Sequence, residues 1–438
     1  MNPRGPWFPA ALVALVLGVL YWWTVAPTIA ELHGTVDSAE LVTVASVSGV
    51  AHPPGEALWL SLARVALAVV PAAEPALRTN LLSAVLMAAA GALVAVAAVR
   101  WRPGTPWWGA AAAGLLFGLA PLVWAEAVVT EVYALHATLA ALSLALAPDA
   151  AEGRRWPAFA FVLGLLVASH LTGLALALPL ALAALARPRG PGGRAAAWSA
   201  GLFVLPFAYS VAYLWFRADA SIAWGDTGTL RGLFEHLTGR AYHDALTRDP
   251  GAVAEALPET VRVALRQMPP PAWLLLLPGA LAIARSRPAL AFVLSAWAVL
   301  LAVFVSAYLV AGREEYLQGT VMVLGLFGGW GLVEVWGWMS PRLAERGARR
   351  ALGLVVVGAF ALWAVWVGDD VSRRGDTSLV DEARARLDGA PEYARIETFS
   401  DRETFPLWYV TAVLDERTDV TVIDVRDPIT TPRVGPRP

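Results

Sequence analysis

Long apolar runs dominate this sequence and restrict it to one class of fold. At a helical rise of about 1.5 Å per residue, runs of roughly 16 to 24 residues cross the ~30 Å hydrocarbon core of a bilayer. The runs cover residues 8–26, 80–99, 106–124, 127–147, 157–171, 172–186, 195–216, 271–284, 289–311, 317–338 and 350–368. With 58% hydrophobic and 16% charged residues, the chain is too apolar for a water-soluble domain. We therefore predict an all-α polytopic membrane protein with these eleven runs as transmembrane helices.

Arginines orient the predicted spans. If the N-terminus is cytoplasmic, the connectors on the inner side carry all of the following basic residues, as the positive-inside rule requires. They are Arg100, Arg102, Arg154, Arg155, Arg187, Arg189, Arg194, Arg285, Arg287, Arg342, Arg346, Arg349 and Arg350. The sequence thus predicts a multi-pass protein of the cell membrane with a cytoplasmic N-terminus, an uncleaved first helix and an extracytoplasmic C-terminal tail.

One further apolar stretch, residues 57–71, is expected to stay out of the bilayer core. A helix of this length covers only about 22 Å, and Arg64 lies in its middle. If it crossed, the arginine clusters would move to the outer side, so we predict an interfacial amphipathic helix. The chain then divides into a transmembrane domain, residues 1–368, and an external tail, residues 369–438. The domain has two long external loops, residues 27–79 and 217–270.

The sequence of the tail predicts a small α/β unit. Residues 394–401 and 419–425 have the composition of strands, and the segment between them suits a helix. Such a short unit is expected to pack on the membrane domain. Part of the loop 217–270 is also expected to be helical, because apolar residues recur there at helical spacing.

Two acids in the first external loop are the leading functional candidates. Asp37 and Glu40 follow the first apolar run, and carboxylates beside a bilayer are costly unless they face water or a substrate. In a helix the two side chains share one face, so Asp37 could act as a base and Glu40 could orient a substrate or bind a divalent cation. A solvated helix start with Asp37 as N-cap is the alternative. No other metal site is predicted, and the absence of cysteine excludes thiolate chemistry.

Two histidines lie near the predicted outer surface. His52 begins a His-Pro-Pro-Gly turn whose prolines fix the backbone, so the turn could hold His52 against a lipid phosphate or could simply redirect the chain. His170, in a turn between two apolar runs, could bind the same phosphate or play a structural part.

Several motifs resemble one known family. They are IAELHGTVDSAEL and AHPPG in the first loop, RTNLLSA at residues 78–84, AEAVVTEVYAL at 125–135, the segment 223–243 and the tail segment 400–425. Together they resemble the transmembrane protein 260-like O-mannosyltransferase family, also called the domain of unknown function 2723 family. These proteins look like GT-C glycosyltransferases, which are polytopic enzymes that use polyprenyl-phosphate sugars.

The resemblance implies a reaction and a site. It implies transfer of a sugar, mannose, from a polyprenyl-phosphate donor to a hydroxyl of an exported protein or a glycan at a bacterial inner membrane, with no nucleic-acid partner. Asp37 matches the family's first-loop acid, and Glu131 matches its second-loop acid, whereas we expect Glu126 to be a rim charge. For the donor phosphate we favour Arg78 of the RTN motif, with Arg313 as a second candidate, because a guanidinium suits phosphate oxygens.

A different class of function stays open. A flippase or transporter of lipid-linked sugars would also need many helices and a polar cavity. The clustering of acids in external loops, and not at mid-membrane on broken helices, favours the enzyme.

Overall fold

The computed structural model describes residues 5–186, 191–343 and 346–426. Within these ranges the chain is mostly helical. The helices are α1 (Trp7–Thr24), α2 (Asp37–Val47), α3 (Ala57–Val69), α4 (Pro75–Trp101), α5 (Trp107–Gly118), α6 (Pro121–Ala127), α7 (Tyr133–Ala151), α8 (Trp156–Ser169), α9 (Leu174–Leu185), α10 (Gly193–Phe216), α11 (Leu230–Leu237), α12 (Pro250–Arg266), α13 (Trp273–Ser286), α14 (Pro288–Ala307), α15 (Gln318–Met339), α16 (Arg346–Val371), α17 (Ser378–Asp388) and α18 (Asp401–Ala412). The strands are β1 (Arg395–Thr398) and β2 (Thr421–Asp424), and 3₁₀ turns occupy Leu171–Gly173, Arg240–Ala245, Pro270–Ala272 and Arg313–Leu317.

Every predicted apolar run contains a helix, but the helices differ in length. In the described part of the chain, seven are long and apolar enough to span a membrane, and α5 with α6 makes an eighth, bent by 71°. The remaining three runs form α8, α9 and α13, with 14, 12 and 14 residues. The predicted all-α polytopic class is therefore confirmed, whereas the number of complete crossings stays a prediction.

Glycines set the closest helix contacts. A Cβ built on Gly279 of α13 would lie 1.8 Å from the carbonyl oxygen of Phe327 in α15, and one on Gly331 would lie 1.8 Å from that of Leu275. Small residues at such crossings let two backbones approach within van der Waals contact, which is the usual means of helix association in lipid.

Two of the predicted inner connectors meet at one end of the bundle. Asp149 is ion-paired with Arg100 at 2.7 Å, with Arg154 at 2.8 Å and with Arg155 at 3.3 Å. Two connectors that are both predicted to be internal thus lie together. Arg187, Arg189 and the Arg346 side chain fall outside the described residues, and the side of the membrane remains a prediction.

The first external loop contains two helices. α2 starts at Asp37, and most of its side chains are buried. α3 covers the stretch predicted as interfacial and is two-faced: Trp59, Leu60 and Ala63 are buried, while Val65 and Val69 are exposed. This two-faced pattern suits a helix at an interface, although its depth in the membrane stays a prediction.

The tail forms the predicted strand, helix and strand. β1 and β2 pair in parallel, with Arg395 opposite Thr421, and α18 connects them, as a parallel pair requires. α18 packs on α2, and the Tyr409 hydroxyl hydrogen-bonds Glu74, which also accepts from Thr28 at 2.6 Å. Residues 427–438 of the predicted tail lie outside the described residues.

Candidate active site

A cavity of about 840 Å³ opens where the predicted external segments converge. Its wall includes parts of the first loop, the turns after α6 and α8, the loop between α10 and α12, the turn before α15 and the start of α18. One side is apolar and is formed by Leu174 and Leu178 of α9 and by Leu300, Leu301 and Phe304 of α14. The other side carries charge, so the cavity suits an amphipathic ligand with a polar head.

Asp37, Glu40 and His52 form the charged centre of this wall. One ligating atom from each side chain lies within 4.8 Å of those of the other two. For Asp37 and Glu40 this agrees with the predicted shared helix face. Glu40 is fully buried and accepts the His52 main-chain N–H at 2.8 Å, and its second oxygen pairs with the ring Nδ1. Asp37 and His52 line the cavity, while Glu40 lies behind them. Glu40 therefore positions His52, and Asp37 faces the ligand space.

Burial and charge set the protonation of this centre. Burial raises the pKa of Asp37 to about 6, against the opposing effect of His52. Burial lowers the pKa of His52, but Glu40, Asp37 and Glu56 together outweigh it and hold that pKa well above the ordinary value. At neutral pH the arrangement is thus an ionised Asp37 beside a protonated His52.

Glu56 is a cavity residue that the sequence did not single out. It follows the His-Pro-Pro-Gly turn, is 5% exposed and has a left-handed backbone with φ 45°. A non-glycine residue in this region is uncommon and concentrates at functional sites. Burial raises the pKa of Glu56 to about 8, so its carboxyl group is neutral at pH 7.

His170 also lines the cavity, within electrostatic reach of His52. Its Nδ1 accepts the Thr172 main-chain N–H at 3.2 Å and pairs with the Thr172 hydroxyl at 2.8 Å. Burial and the His52 charge lower the pKa of His170 to about 4. His170 is therefore a neutral, locally oriented imidazole that can offer a hydrogen bond but no positive charge.

The acids of the second loop lie deeper than expected. Glu131 is 3% exposed and lies behind the cavity wall, where burial, Glu315 and Asp37 raise its pKa well above the ordinary value. The expectation that Glu126 is a rim charge is wrong: it is fully buried, and neither carboxylate oxygen has a hydrogen-bond partner among the described residues. Glu126 is buried because α6 packs against α4, α16 and the turn before α15.

The arginines favoured for phosphate are placed differently from expectation. The Arg78 Nε donates to the Ala72 carbonyl at 2.7 Å, and its Nη1 donates to that of Leu67. Asn80 of the same motif bonds the carbonyls of Ala26 and Thr28. Arg78 is not among the cavity-lining residues, so the RTN motif fixes the two ends of the first loop.

Arg313 also lies behind the wall and donates to the Tyr308 carbonyl at 3.3 Å. The arginine that does line the cavity, among the described residues, is Arg402 at the start of α18. Its guanidinium pairs with Glu31 and, at 3.1 Å, with Glu382. Nothing in the local sequence marks Arg402, because it reaches the cavity only when the tail folds back onto α2.

Aromatic rings surround the charged centre. The Trp224 ring lies edge-on to His52, with 6.3 Å between centroids, and also contacts Phe405 of α18. Both aromatic residues line the cavity, as does Tyr242. Flat apolar faces beside hydrogen-bonding groups suit a ligand that, like a sugar ring, has both C–H and O–H surfaces.

Comparisons with known proteins agree with this architecture. Residues 37–189 match the family described as the protein O-mannosyl-transferase TMEM260 N-terminal domain. The protein O-mannosyl-transferase TMEM260 of Mus musculus is 31% identical over 262 residues, which are 54% of this chain and 35% of that protein. The match thus spans about a third of the relative's length.

Solved structures show the same fold. ArnT from Cupriavidus metallidurans, bound to undecaprenyl phosphate, has a TM-score of 0.62 at 15% identity, covering 94% of this chain and 88% of that one. The oligosaccharyltransferase AglB from Archaeoglobus fulgidus, in complex with an inhibitory peptide and a dolichol-phosphate, has a TM-score of 0.51 at 11% identity, covering 94% and 60%. The resemblance seen in the sequence is therefore confirmed: residues 37–189 match the N-terminal domain of the O-mannosyl-transferase TMEM260 family, within a chain that has the fold of the GT-C glycosyltransferases.

Proposed function

We propose that the protein is a membrane glycosyltransferase that moves a sugar, mannose, from a polyprenyl-phosphate donor to a hydroxyl of an exported protein. The observation that carries this proposal is the cavity, with an apolar side formed by α9 and α14 and a charged side at Asp37 and His52. A lipid-linked sugar phosphate likewise has an apolar lipid chain and a charged, polar head. The match to an O-mannosyl-transferase supports mannose and a protein acceptor.

Asp37 is the proposed base. An ionised Asp37 takes the proton of the acceptor hydroxyl while that oxygen attacks the anomeric carbon of the sugar. The bond from this carbon to the phosphate oxygen breaks, and polyprenyl phosphate leaves with the bonding electrons. Attack opposite the leaving group inverts the anomeric configuration. A pKa of about 6 for Asp37 leaves it ionised yet basic at neutral pH.

Charge on the departing phosphate needs positive groups. A protonated His52, held by Glu40, is one such group, and Arg402 at the cavity wall is the other. Fixed donors aimed at developing charge are usually the largest contribution to catalysis. In this proposal His170 orients the donor through a hydrogen bond, and Glu131 supports the cavity wall from behind. Arg78 and Arg313 stabilise the loops that carry these groups.

The predicted topology agrees with a reaction on the outer face. Helix α7 begins at Tyr133, which lines the cavity, and reaches Asp149 near its other end, where two of the arginine-rich connectors meet. If those connectors are cytoplasmic, the cavity opens to the extracytoplasmic side of a bacterial inner membrane, where exported acceptors and the sugar of a flipped donor are both available.

The test uses the purified full chain in lipid vesicles, with radiolabelled polyprenyl-phosphate mannose and peptides rich in serine and threonine. Wild-type protein should form alkali-labile mannosyl peptide, and Asp37→Asn should be slower by about 10²- to 10⁴-fold, as for loss of a general base. Asp219→Asn, at an exposed loop position, is the matched control and should keep full activity.

Two results would overturn the proposal. Full transfer by a folded Asp37→Asn variant would remove the base assignment. Absence of transfer by the wild type with every acceptor, together with movement of the labelled donor across the vesicle bilayer, would identify a transporter.

A further inference from the structure

A second cluster of ligating groups lies next to the active-site acids and is separate from them. It consists of His33, in the first loop, Glu126 of α6 and Glu315 in the turn before α15. One atom from each of these side chains lies within 4.8 Å of one from each of the others, and the His33 Nε2 is 3.6 Å from the Glu126 Oε1. Three segments distant in sequence thus point donor atoms at one small volume.

The two acids of this cluster are buried, yet some of their carboxylate oxygens have no hydrogen-bond partner among the described residues. Glu126 is fully buried with both oxygens unpartnered, and Glu315 is 6% exposed with its Oε1 unpartnered. Burying an unpaired polar group costs about 1–3 kcal/mol, and burying a carboxylate costs more. Two such groups side by side must either hold protons or share a positive partner, and no arginine reaches these oxygens among the described residues.

His33 is well placed to complete the set. It occupies a tight turn in which Leu32 and Thr35 exchange main-chain hydrogen bonds of 3.0 and 2.8 Å. Both central residues have positive φ, 50° at His33 and 80° at Gly34, as a two-residue reverse turn of this kind requires. The turn directs the imidazole toward Glu126 while the ring stays partly exposed, with 29% of the side chain accessible. The exposed edge provides a route for an ion.

Residues around Glu315 also affect how its carboxylate is placed. The Tyr133 hydroxyl lies close to the Glu315 carboxylate, and the Glu315 Oε1 has no hydrogen-bond partner among the described residues. Gly312 lets the chain pass close to Glu315, because a Cβ there would lie 3.0 Å from its Oε1. Outer partners that orient a ligand in this way are the rule around protein-bound metals.

We infer that His33, Glu126 and Glu315 form a binding site for one divalent transition-metal ion. One imidazole nitrogen and two carboxylates suit Mn²⁺ or Zn²⁺, whereas Ca²⁺ takes six to eight oxygens and Mg²⁺ prefers oxygen and water. Three protein ligands leave coordination positions open, as in catalytic sites. Glu315 also lines the cavity, so an ion here would face the donor's phosphate. That last role rests on the proposed function, but the binding of the ion does not.

The test measures metal directly and needs no donor or acceptor. Full-length protein in detergent is stripped with a chelator, loaded with Mn²⁺ or Zn²⁺ and passed through a desalting column, and bound metal is counted by mass spectrometry. Wild type should retain about one ion per chain, and its thermal midpoint should rise with Mn²⁺ or Zn²⁺ but not with Ca²⁺. His33→Ala, Glu126→Gln and Glu315→Gln should each weaken binding by about 10- to 100-fold or more, as expected for loss of a ligand.

Two variants separate this site from its neighbours. Glu314→Gln, one residue away from a ligand, and Asp37→Asn, in the other cluster, should bind as the wild type does. His33 is partly exposed, so His33→Ala is expected to fold even if the buried variants do not. Wild-type protein that retains no ion, or a folded His33→Ala that binds as tightly as wild type, would overturn the site. Either result leaves the transfer reaction to be judged by its own assay.

Discussion

Glu40 holds His52 at two atoms, with one carboxylate oxygen on the main-chain N–H at 2.8 Å and the other on the ring Nδ1. The two residues are twelve positions apart, at the start of α2 and in the turn before α3. A single buried carboxylate thus fixes both the position of the turn and the charge of the ring. This pair therefore joins the start of α2 to the turn before α3.

Glu40→Gln keeps the shape of the side chain and removes its charge. We expect the pKa of His52 to fall toward its ordinary value, because Glu40 is the main group that raises it. Losing a charged hydrogen bond costs about 1.5–3 kcal/mol, so transfer should slow by roughly 10- to 100-fold. Steady-state rates measure this effect. The double variant with His52→Gln should be little slower than the slower single variant, whereas fully additive losses in activation free energy would disprove the coupling.

The rate should depend on the ionisation of Asp37. Burial raises its pKa to about 6, so kcat/KM should rise as pH increases through this value and reach a plateau near neutrality. The free energy of unfolding should depend on pH in the opposite direction. The folded state holds the Asp37 proton more tightly than the unfolded state does, so the contribution of Asp37 to stability falls as pH rises from about 4 to about 6. A pH profile of kcat/KM between pH 4.5 and 7.5 checks the first statement. A plateau that extends unchanged below pH 5 would contradict it.

Glu56 is expected to work in its neutral form. Burial raises its pKa to about 8, and Gln resembles the protonated carboxyl group, so Glu56→Gln should keep wild-type activity within a few-fold at pH 7. Above pH 8 the wild type should lose activity, because an ionised Glu56 adds negative charge to a wall that faces phosphate. The variant should show no such decline. Equal alkaline profiles for the two proteins would assign the decline to another group.

Arg402 and Arg78 should respond differently to the same substitution. Arg402→Gln removes a charge from the cavity wall, so we expect a rise in KM for the lipid donor with little change in thermal midpoint. Arg78→Gln removes donors to the carbonyls of Leu67 and Ala72, which should lower the thermal midpoint and the amount of folded protein. Donor titrations and melting curves of both variants make the comparison. The reverse pattern would restore Arg78 as the phosphate ligand.

The crossing of α13 and α15 should not tolerate a methyl group. A Cβ on Gly331 would lie 1.8 Å from the Leu275 carbonyl oxygen, so Gly331→Ala must force the helices apart and cost about 1–3 kcal/mol or more. A Cβ on Gly337, in the same helix, would meet no described atom within 4 Å. Gly337→Ala is therefore the control and should melt as the wild type does. Similar midpoints for both variants would contradict the close crossing.

Local patterns in the sequence were enough to predict the helices and the proximity of Asp37 and Glu40. Apolar length placed a helix in every predicted run, and the three-residue spacing of Asp37 and Glu40 brought them together, because both properties depend on neighbours along the chain. The strand, helix and strand of the tail followed from the same kind of pattern. Asp37 lines the cavity and Glu40 does not, while the chemical role of each acid stays a prediction.

Contacts between distant segments could not be read in this way. Arg402 reaches the cavity only through the packing of α18 on α2, and Glu126 becomes buried through the packing of α6 against α4, α16 and the turn before α15. Arg78 was a reasonable phosphate ligand from its residue type, but the nearby turn offered it two main-chain carbonyls. Residue chemistry indicates what a side chain can bind, while only the assembled fold decides which partner it meets.

The position of α18 also bears on how the protein is made. Asp401, Arg402 and Phe405 form part of the cavity wall, yet they are translated after every membrane helix described above. On the proposed orientation, a growing chain exposes Asp37 and His52 on the outer side of the membrane long before this neighbouring part of the cavity wall has been synthesised. The protein should thus be inactive during biogenesis and become active only when the tail has been exported and has docked on α2, so activity itself reports complete insertion.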